Sequence, residues 1–153
     1  MSLYKELNED LKKYMKLKDK DKVNAIRSII AAVKNFKTSS AKSKEQEITD
    51  EIIIELASKE AKKREEAIFS YEKLDRNDLV EHEKSELEII KKYLPQALTN
   101  EEISKIALET IQETGAKSPS DLGIVMKSLI AKIKGRADGK AVNKIVREML
   151  AGL

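Results

Sequence analysis

Apolar residues recur every three or four positions along almost the whole chain, which is the period of an amphipathic α-helix. In the first such segment, Leu3, Leu7, Leu11 and Met15 form one apolar stripe. No segment shows the strict alternation of apolar and polar residues that is typical of a half-buried strand. The pattern predicts helices at about residues 2–18, 22–37, 49–74, 77–94, 99–115, 118–135 and from residue 138 onward.

Pro95 marks the predicted boundary between two helical domains. Because the residue before a proline is displaced from the α-helical backbone conformation, the fourth helix should end at Leu94. We therefore expect an all-α protein. An N-terminal four-helix region should occupy residues 1–94, and a small C-terminal three-helix domain should occupy residues 95–153.

Several short segments carry predictions of their own. Residues 38–44 are small and polar and predict a mobile loop. Residues 59–66 carry charge around most of the third helix, so its middle is expected to project into solvent. Further along, Thr99 followed by Glu102 is a capping-box pattern. The other predicted helix starts and stops of the C-terminal domain are Gly115, Ser118-Pro119, Gly135 and Asp138.

The residue inventory excludes several kinds of chemistry. The 153 residues include no Cys and one His, so disulfides, thiolate metal sites and His-based triads are not expected. The sequence contains no G-x-S-x-G, Walker A or G-x-G-x-x-G motif. His82 lies between Glu81 and Glu83 and is predicted to be a solvated surface residue. We expect no catalytic residue, no metal and no cofactor, and therefore a protein that is not an enzyme by itself.

The sequence also sets an expectation for location. Residues 1–6 lead directly into charged positions, without the apolar segment of a secretory signal. No apolar run approaches the roughly 18 residues needed to span a bilayer. These features predict a protein that has no membrane partner and is located in the cytoplasm.

Charge is strongly segregated along the chain, although the formal net charge is only +3. Residues 12–44 carry a net charge of +9, and residues 45–95 carry −6. Residues 96–126 carry −3, and residues 127–153 carry +5. The N-terminal basic block is interpreted most simply as the solvated face of an amphipathic helix. The C-terminal block is more informative.

The C-terminal basic block surrounds a turn that is bracketed by Gly135 and Gly139. Small residues let a backbone approach a partner closely, and the start of a helix offers free N–H groups that suit a phosphate. The pattern therefore indicates a surface for a nucleic-acid backbone. Lysines near a helix C-terminus that merely offset the helix dipole, with Asp138 as a simple cap, are the alternative interpretation. The candidate cations are Lys127, Lys132, Lys134, Arg136, Lys140 and Lys144, with Arg136 and Lys140 as the main expected phosphate contacts.

Three C-terminal segments read LPQALTNEEI at residues 94–103, DLGIVMK at 121–127 and KGRADGK at 134–140. These segments resemble the GatB/YqeY family. The upstream half, including the Tyr93-Leu94-Pro95 boundary, is also similar to free-standing YqeY proteins. At Ile124 this chain departs from the basic residue that the family often has there. The positions that match the family pattern are Gly123, Lys127, Gly135, Arg136, Asp138, Gly139 and Lys140.

The resemblance implies a role in holding tRNA, because the related domain is the tail of the B subunit of the tRNA-dependent amidotransferase, where amide transfer happens in other domains. It favours an accessory protein that binds tRNA or other structured RNA through residues 123–147, with Pro95, Gly123 and Asp138 in structural roles. An amidotransferase or an aminoacyl-tRNA synthetase is the implied partner. Two alternatives stay open: a protein-interaction adaptor that binds no RNA, and a direct contribution to amidotransferase activity.

Overall fold

A computed structural model describes residues 2–153, which form eight α-helices and no strand. The chain divides into two compact units, one that ends at Pro95 and one that comprises Gln96–Leu153. The all-α prediction is confirmed. The helices are α1 (Leu3–Lys16), α2 (Lys20–Thr38), α3 (Ala41–Glu45), α4 (Asp50–Lys73), α5 (Asn77–Lys91), α6 (Asn100–Thr114), α7 (Leu122–Ile133) and α8 (Gly139–Ala151).

The first unit is built around α2, which packs against α1, α4 and α5. Ile26 and Ile29 of α2 are completely buried, and so are Leu7 of α1, Ile53 of α4 and Ile90 of α5. Burying one Leu or Ile side chain contributes about 1.5–3 kcal/mol, so this shared cluster supplies the main driving force for assembly of the four helices.

The second unit is a three-helix arrangement in which α6, α7 and α8 pack pairwise. Its core has no solvent exposure at Val125 and Leu129 of α7 or at Val142 and Val146 of α8. These positions are spaced by four residues on each helix, so each helix presents one apolar face inward and leaves the opposite face to solvent. The outward faces therefore carry the charges of this unit.

Local capping signals define the ends of α6 as predicted. The Glu102 N–H donates to Thr99 Oγ1 over 3.1 Å, and the Thr99 N–H donates to Glu102 Oε2 over 3.0 Å, which completes the capping box. Gly115 ends the helix with a φ of +70°, a conformation that favours glycine. The next predicted start is instead a 3₁₀ turn at Pro119–Asp121, in which the Ser118 N–H donates to Asp121 Oδ2 over 3.3 Å.

Two element boundaries differ from the predictions. Part of the expected mobile loop at residues 38–44 forms α3, because Ser40 caps it by accepting a 3.0 Å hydrogen bond from the Ser43 N–H. The fourth predicted helix, α5, ends at Lys91 rather than Leu94. The Leu94 N–H donates back to the Lys91 carbonyl over 3.1 Å, so the residues before Pro95 form a tight turn.

The middle of α4 does not project into solvent, so that prediction was wrong. Glu60 and Ala61 are buried there. Arg64 Nη1 donates to Glu60 Oε2 over 2.7 Å, and Arg64 Nη2 lies 3.6 Å from Glu86 Oε1 on α5. A charged helix face can be buried when its charges pair with each other and with charges on the neighbouring helix. The helical period of the sequence does not show this pairing.

His82 is exposed, as predicted, and it also bridges two helices. Its Nδ1 lies 3.1 Å from Asp21 Oδ1 on α2, and its Nε2 lies 2.9 Å from Glu86 Oε2 one turn further along α5. Both contacts become hydrogen bonds at once only when both ring nitrogens carry a proton. The arrangement fixes the start of α2 against α5.

Candidate nucleic-acid interface

The outer face of α8 carries a stripe of three cations, Lys140, Lys144 and Arg147, all of them exposed. At 3.6 residues per turn, spacings of four and three residues place them within roughly 60° of one another on the helix. The opposite face is anchored by Val142 and Val146, which have no solvent exposure. Because the buried face fixes the rotation of α8 about its axis, the three cations must point outward together.

The cations of this stripe have no partner within residues 2–153. The side-chain nitrogens of Lys140, Lys144 and Arg147 take part in no hydrogen bond or ion pair in that part of the chain. The exposed Glu148 borders the stripe: it follows Lys144 by four residues and lies about 40° from it around the helix, although no ion pair joins the two side chains within residues 2–153. The stripe is therefore a positive surface about 10 Å long at a rise of 1.5 Å per residue, with one carboxylate at its edge.

Lys132, one of the predicted RNA-binding cations, instead pairs with side chains of α6. Its Nζ donates to Glu113 Oε2 over 2.5 Å and to Thr110 Oγ1 over 3.1 Å, both on α6. This pair ties α7 to α6 and neutralises one of the predicted RNA-binding cations. The sequence could not show it, because Glu113 lies 19 residues away along the chain.

Arg136 joins the turn between α7 and α8 to the segment before α6 through two hydrogen bonds. Its Nε donates to the Gln96 carbonyl over 3.1 Å, and its own carbonyl accepts from the Leu98 N–H over 2.8 Å. The turn is thereby held against the segment that precedes α6. The Arg136 side chain remains exposed, so its Nη groups face solvent while Nε has a structural partner.

The glycines of the predicted site differ in whether their backbone conformation or packing requires glycine. Gly135 has a φ of +72°, which other residues rarely adopt. Gly139, the first residue of α8, and Gly123, in the first turn of α7, have no such constraint, and a Cβ at either would meet no atom within 4 Å. Neither is required by packing, so each leaves open backbone at a helix start. At α8 this backbone is shared with Asp138, whose Oδ1 accepts from the Lys140 N–H over 3.4 Å.

Lys127 lies on the outer face of α7, beside the exposed side chains of Ile124 and Ile130. Its surroundings are thus mixed apolar and basic, unlike those of the α8 stripe.

The structure brings Lys140 and Lys144 together on one helix face and adds Arg147, which the sequence prediction did not include as a site residue. The signal that could have found it is its spacing of i+7 from Lys140 and i+3 from Lys144.

Within residues 2–153, no group of three His, Asp or Glu side chains lies close enough together to hold a metal ion. No helix in the same range is both long and apolar enough to cross a bilayer.

A comparison with protein families matches the model described as Yqey-like protein to residues 4–150. The chain belongs to the YqeY family. It is 33% identical over 150 residues to "Altered inheritance of mitochondria protein 41, mitochondrial" of Pyrenophora tritici-repentis, which covers 94% of this chain and 78% of that relative. The protein of the same name in Candida glabrata is 31% identical over 147 residues, 92% of this chain and 78% of the relative. That of Saccharomyces cerevisiae strain YJM789 is 37% identical over 97 residues, 63% and 51% respectively.

These names contradict the predicted cytoplasmic location, because the relatives are named as mitochondrial proteins. The prediction rested on the lack of an apolar segment at residues 1–6 and of an apolar run long enough to span a bilayer. Targeting segments for mitochondria are amphipathic and rich in arginine rather than apolar, so that criterion does not separate the two compartments. The prediction was wrong for this reason.

Proposed function

We propose that this YqeY-family protein is a non-catalytic accessory module that binds structured RNA of the tRNA type through the α8 stripe. The observation that carries the proposal is the set of Lys140, Lys144 and Arg147, whose side chains have no ion-pair or hydrogen-bond partner within residues 2–153 and lie opposite a fully buried helix face. Clustered and oriented cations of this kind neutralise phosphates and release counterions. The turn residues Lys134, Gly135 and Arg136 and the open backbone at Gly139 flank the stripe.

The composition of the chain favours recognition of RNA shape over recognition of bases. There is no Trp, and aromatic residues make up 4% of the sequence, so a platform for stacking unpaired bases is lacking. A-form RNA hides its base edges in a deep and narrow groove, and proteins bind it mainly through its phosphates and 2′-hydroxyls. A folded RNA with closely spaced phosphates fits a short rigid helix better than an extended single strand does.

The accessory role follows from the family resemblance together with the lack of catalytic motifs in the sequence. In this proposal the protein holds tRNA for an amidotransferase or an aminoacyl-tRNA synthetase, which performs the chemistry. Affinity capture with and without nuclease treatment separates this from an adaptor role. If RNA links the proteins, the enzyme should be lost from the captured fraction after nuclease treatment; an enzyme that remains bound favours the adaptor.

RNA binding is tested most simply by measuring the affinity of labelled tRNA for two variants of equal charge. Lys140→Ala/Lys144→Ala removes two cations of the stripe. Lys105→Ala/Lys117→Ala removes two exposed lysines of the same unit outside the stripe and is the matched control. We expect the first variant to bind at least tenfold more weakly and the control to lose much less. Equal losses would reject the assigned surface.

A further inference from the structure

A groove in the first unit lies where α1 ends and α2 begins. It is open to solvent and has a volume of about 380 Å³. Met15 and Val23 supply apolar side chains, so the groove has both apolar and charged lining residues. Its lining residues are Met15, Lys18, Lys20, Val23, Asn24 and Arg27.

The groove is positive because the nearby carboxylates are engaged elsewhere. None of its lining residues is acidic, and three of them are cations. Asp19 accepts from the Lys22 N–H over 3.3 Å and lies 3.4 Å from Lys22 Nζ. Asp21 lies 3.1 Å from His82 Nδ1. Both acidic residues of the α1–α2 junction therefore have partners outside the groove.

Within the basic block of residues 12–44, some lysine side chains contact other parts of the protein and others are free to bind a ligand. Lys13 Nζ and Lys22 Nζ lie 5.4 and 4.8 Å from the centre of the Tyr14 ring, in cation–π geometry. The side chains of Lys18 and Lys20 make no contact of this kind within residues 2–153, and their Nζ atoms take part in no hydrogen bond or ion pair there. Within the same residues, the one hydrogen bond of the Arg27 guanidinium is to the Met15 sulfur, with Nη2 3.9 Å from Sδ.

The backbone holds Lys18 in a conformation that a lysine rarely adopts. Its φ is +55°, in the left-handed region that usually holds glycine at the end of a helix. A β-carbon in this conformation carries a steric cost, and such strain clusters at functional positions. The strained residue is one of the three cations that line the groove.

The groove continues along the outer face of α2. Lys20, Asn24, Arg27, Ala31 and Lys34 are all exposed and follow one another at spacings of three or four residues. The distance along the helix from Lys20 to Lys34 is about 21 Å, and this strip contains no acidic side chain. A ligand that neutralises cations over such a length is an extended polyanion rather than a single small anion.

We propose that the α1–α2 groove and the outer face of α2 form a second binding site for the phosphodiester backbone of RNA. This inference rests on the proposed function, because the same RNA is assigned to the α8 stripe. Lys18, Lys20 and Arg27 contact successive phosphates, and Met15 and Val23 pack against a ribose or a base edge. Arg27 is suited to the role because its planar guanidinium can pair with a phosphate and stack at the same time.

The lack of cysteine in the chain gives a direct test of proximity. A photoactivatable cross-linker is attached to Asn24→Cys in the groove, to Asn143→Cys beside the α8 stripe, and to Ser70→Cys on the exposed face of α4 as a background control. With labelled tRNA, the groove position should cross-link well above the Ser70 background. Background-level cross-linking at Asn24→Cys, with strong cross-linking at Asn143→Cys, would overturn this inference and leave the α8 assignment standing.

A salt titration of tRNA binding tests the charges themselves. Lys20→Gln/Arg27→Gln should lower the slope of log affinity against log salt concentration by about 1.4–1.8, since each lost phosphate contact contributes about 0.7–0.9. The control Lys5→Gln/Lys62→Gln removes two exposed lysines of the same unit outside the groove. Equal slopes for the two variants would overturn the second site. A polyglutamate peptide that displaces tRNA from the groove at equal charge concentration would overturn its assignment to RNA.

Lys18→Gly separates function from folding. Glycine tolerates the left-handed conformation, so the melting temperature should stay the same or rise while the affinity for tRNA falls. An unchanged affinity for tRNA would contradict the role of Lys18. If the α8 variants bind tRNA normally while the groove variants do not, the proposed function of α8 fails and the groove assignment stands.

Discussion

Tyr93 donates a 2.6 Å hydrogen bond from its hydroxyl group to Asp10 Oδ2, across 83 residues of sequence. Tyr93 is 4% exposed and belongs to the Tyr93-Leu94-Pro95 turn, whereas Asp10 lies on α1. The bond therefore fixes the last turn of the first unit to its first helix. Burial, reinforced by the Asp10 carboxylate, raises the pKa of Tyr93 well above its ordinary value.

Tyr93→Phe should destabilise the protein by about 1–3 kcal/mol at neutral pH. The change removes a hydrogen bond to a charged group and leaves the Asp10 carboxylate without its donor, with little change in packing volume. Chemical denaturation of both proteins measures the difference. A loss below about 0.3 kcal/mol would show that the bond does not contribute in solution.

The Tyr93 bond also predicts a dependence of stability on alkaline pH. A tyrosine whose pKa is raised on folding keeps its proton in the native state while the unfolded state begins to ionise near pH 10. The native state then binds more protons, so its stability falls as pH rises above about 10, by up to about 1.4 kcal/mol per pH unit. The stability difference between the wild type and Tyr93→Phe should therefore shrink between pH 9 and pH 11. A constant difference would contradict the raised pKa.

Arg64 is predicted to be the cation on which the α4–α5 contact depends. It lies between Glu60 and Glu86, and all three side chains are at least 85% buried. Arg64→Met should cost up to about 3–5 kcal/mol in unfolding free energy, because Glu60 and Glu86 lose the one cation that lies buried between them and keep only the partly exposed Lys63 and His82. Lys63 contacts the same Glu60, but its side chain is 68% exposed, so Lys63→Met should cost less than about 1 kcal/mol. Comparable losses for the two variants would contradict the account of this network.

Gly135 and Gly139 should respond differently to alanine. Gly135→Ala places a β-carbon at a φ of +72° and should destabilise the second unit by about 1–2 kcal/mol. Gly139→Ala meets no neighbouring atom and should leave thermal stability within about 0.5 kcal/mol while weakening tRNA binding, because the added methyl group covers open backbone. Gly139→Ala with unchanged tRNA affinity would exclude close approach at that point.

The sequence predicted what depends on local physics. The helical period, the capping box of Thr99 and Glu102, and the left-handed stop at Gly115 are short-range features, and the structure has all three. The errors arose where residues distant in sequence meet. The burial of Glu60 depends on Arg64 and on the approach of α5, and the pairing of Lys132 depends on Glu113. A count of charges along the chain cannot distinguish a paired lysine from a free one.

The candidate site shows the same division. The exposure of Lys140 and Lys144 follows from the helical period, because Val142 and Val146 define the buried face of α8. Arg136 was expected to be a main phosphate contact, and its hydrogen bond to the Gln96 carbonyl gives it a structural role as well. That bond spans 40 residues and leaves no signal in the local sequence.

The most direct test of the central claim is the salt dependence of tRNA binding by Lys140→Ala/Lys144→Ala/Arg147→Ala. If the α8 stripe contacts phosphates, the slope of log affinity against log salt concentration should fall by about 2–3 relative to wild type, with thermal stability unchanged. A slope and an affinity equal to those of the wild-type protein would contradict the claim that α8 binds RNA.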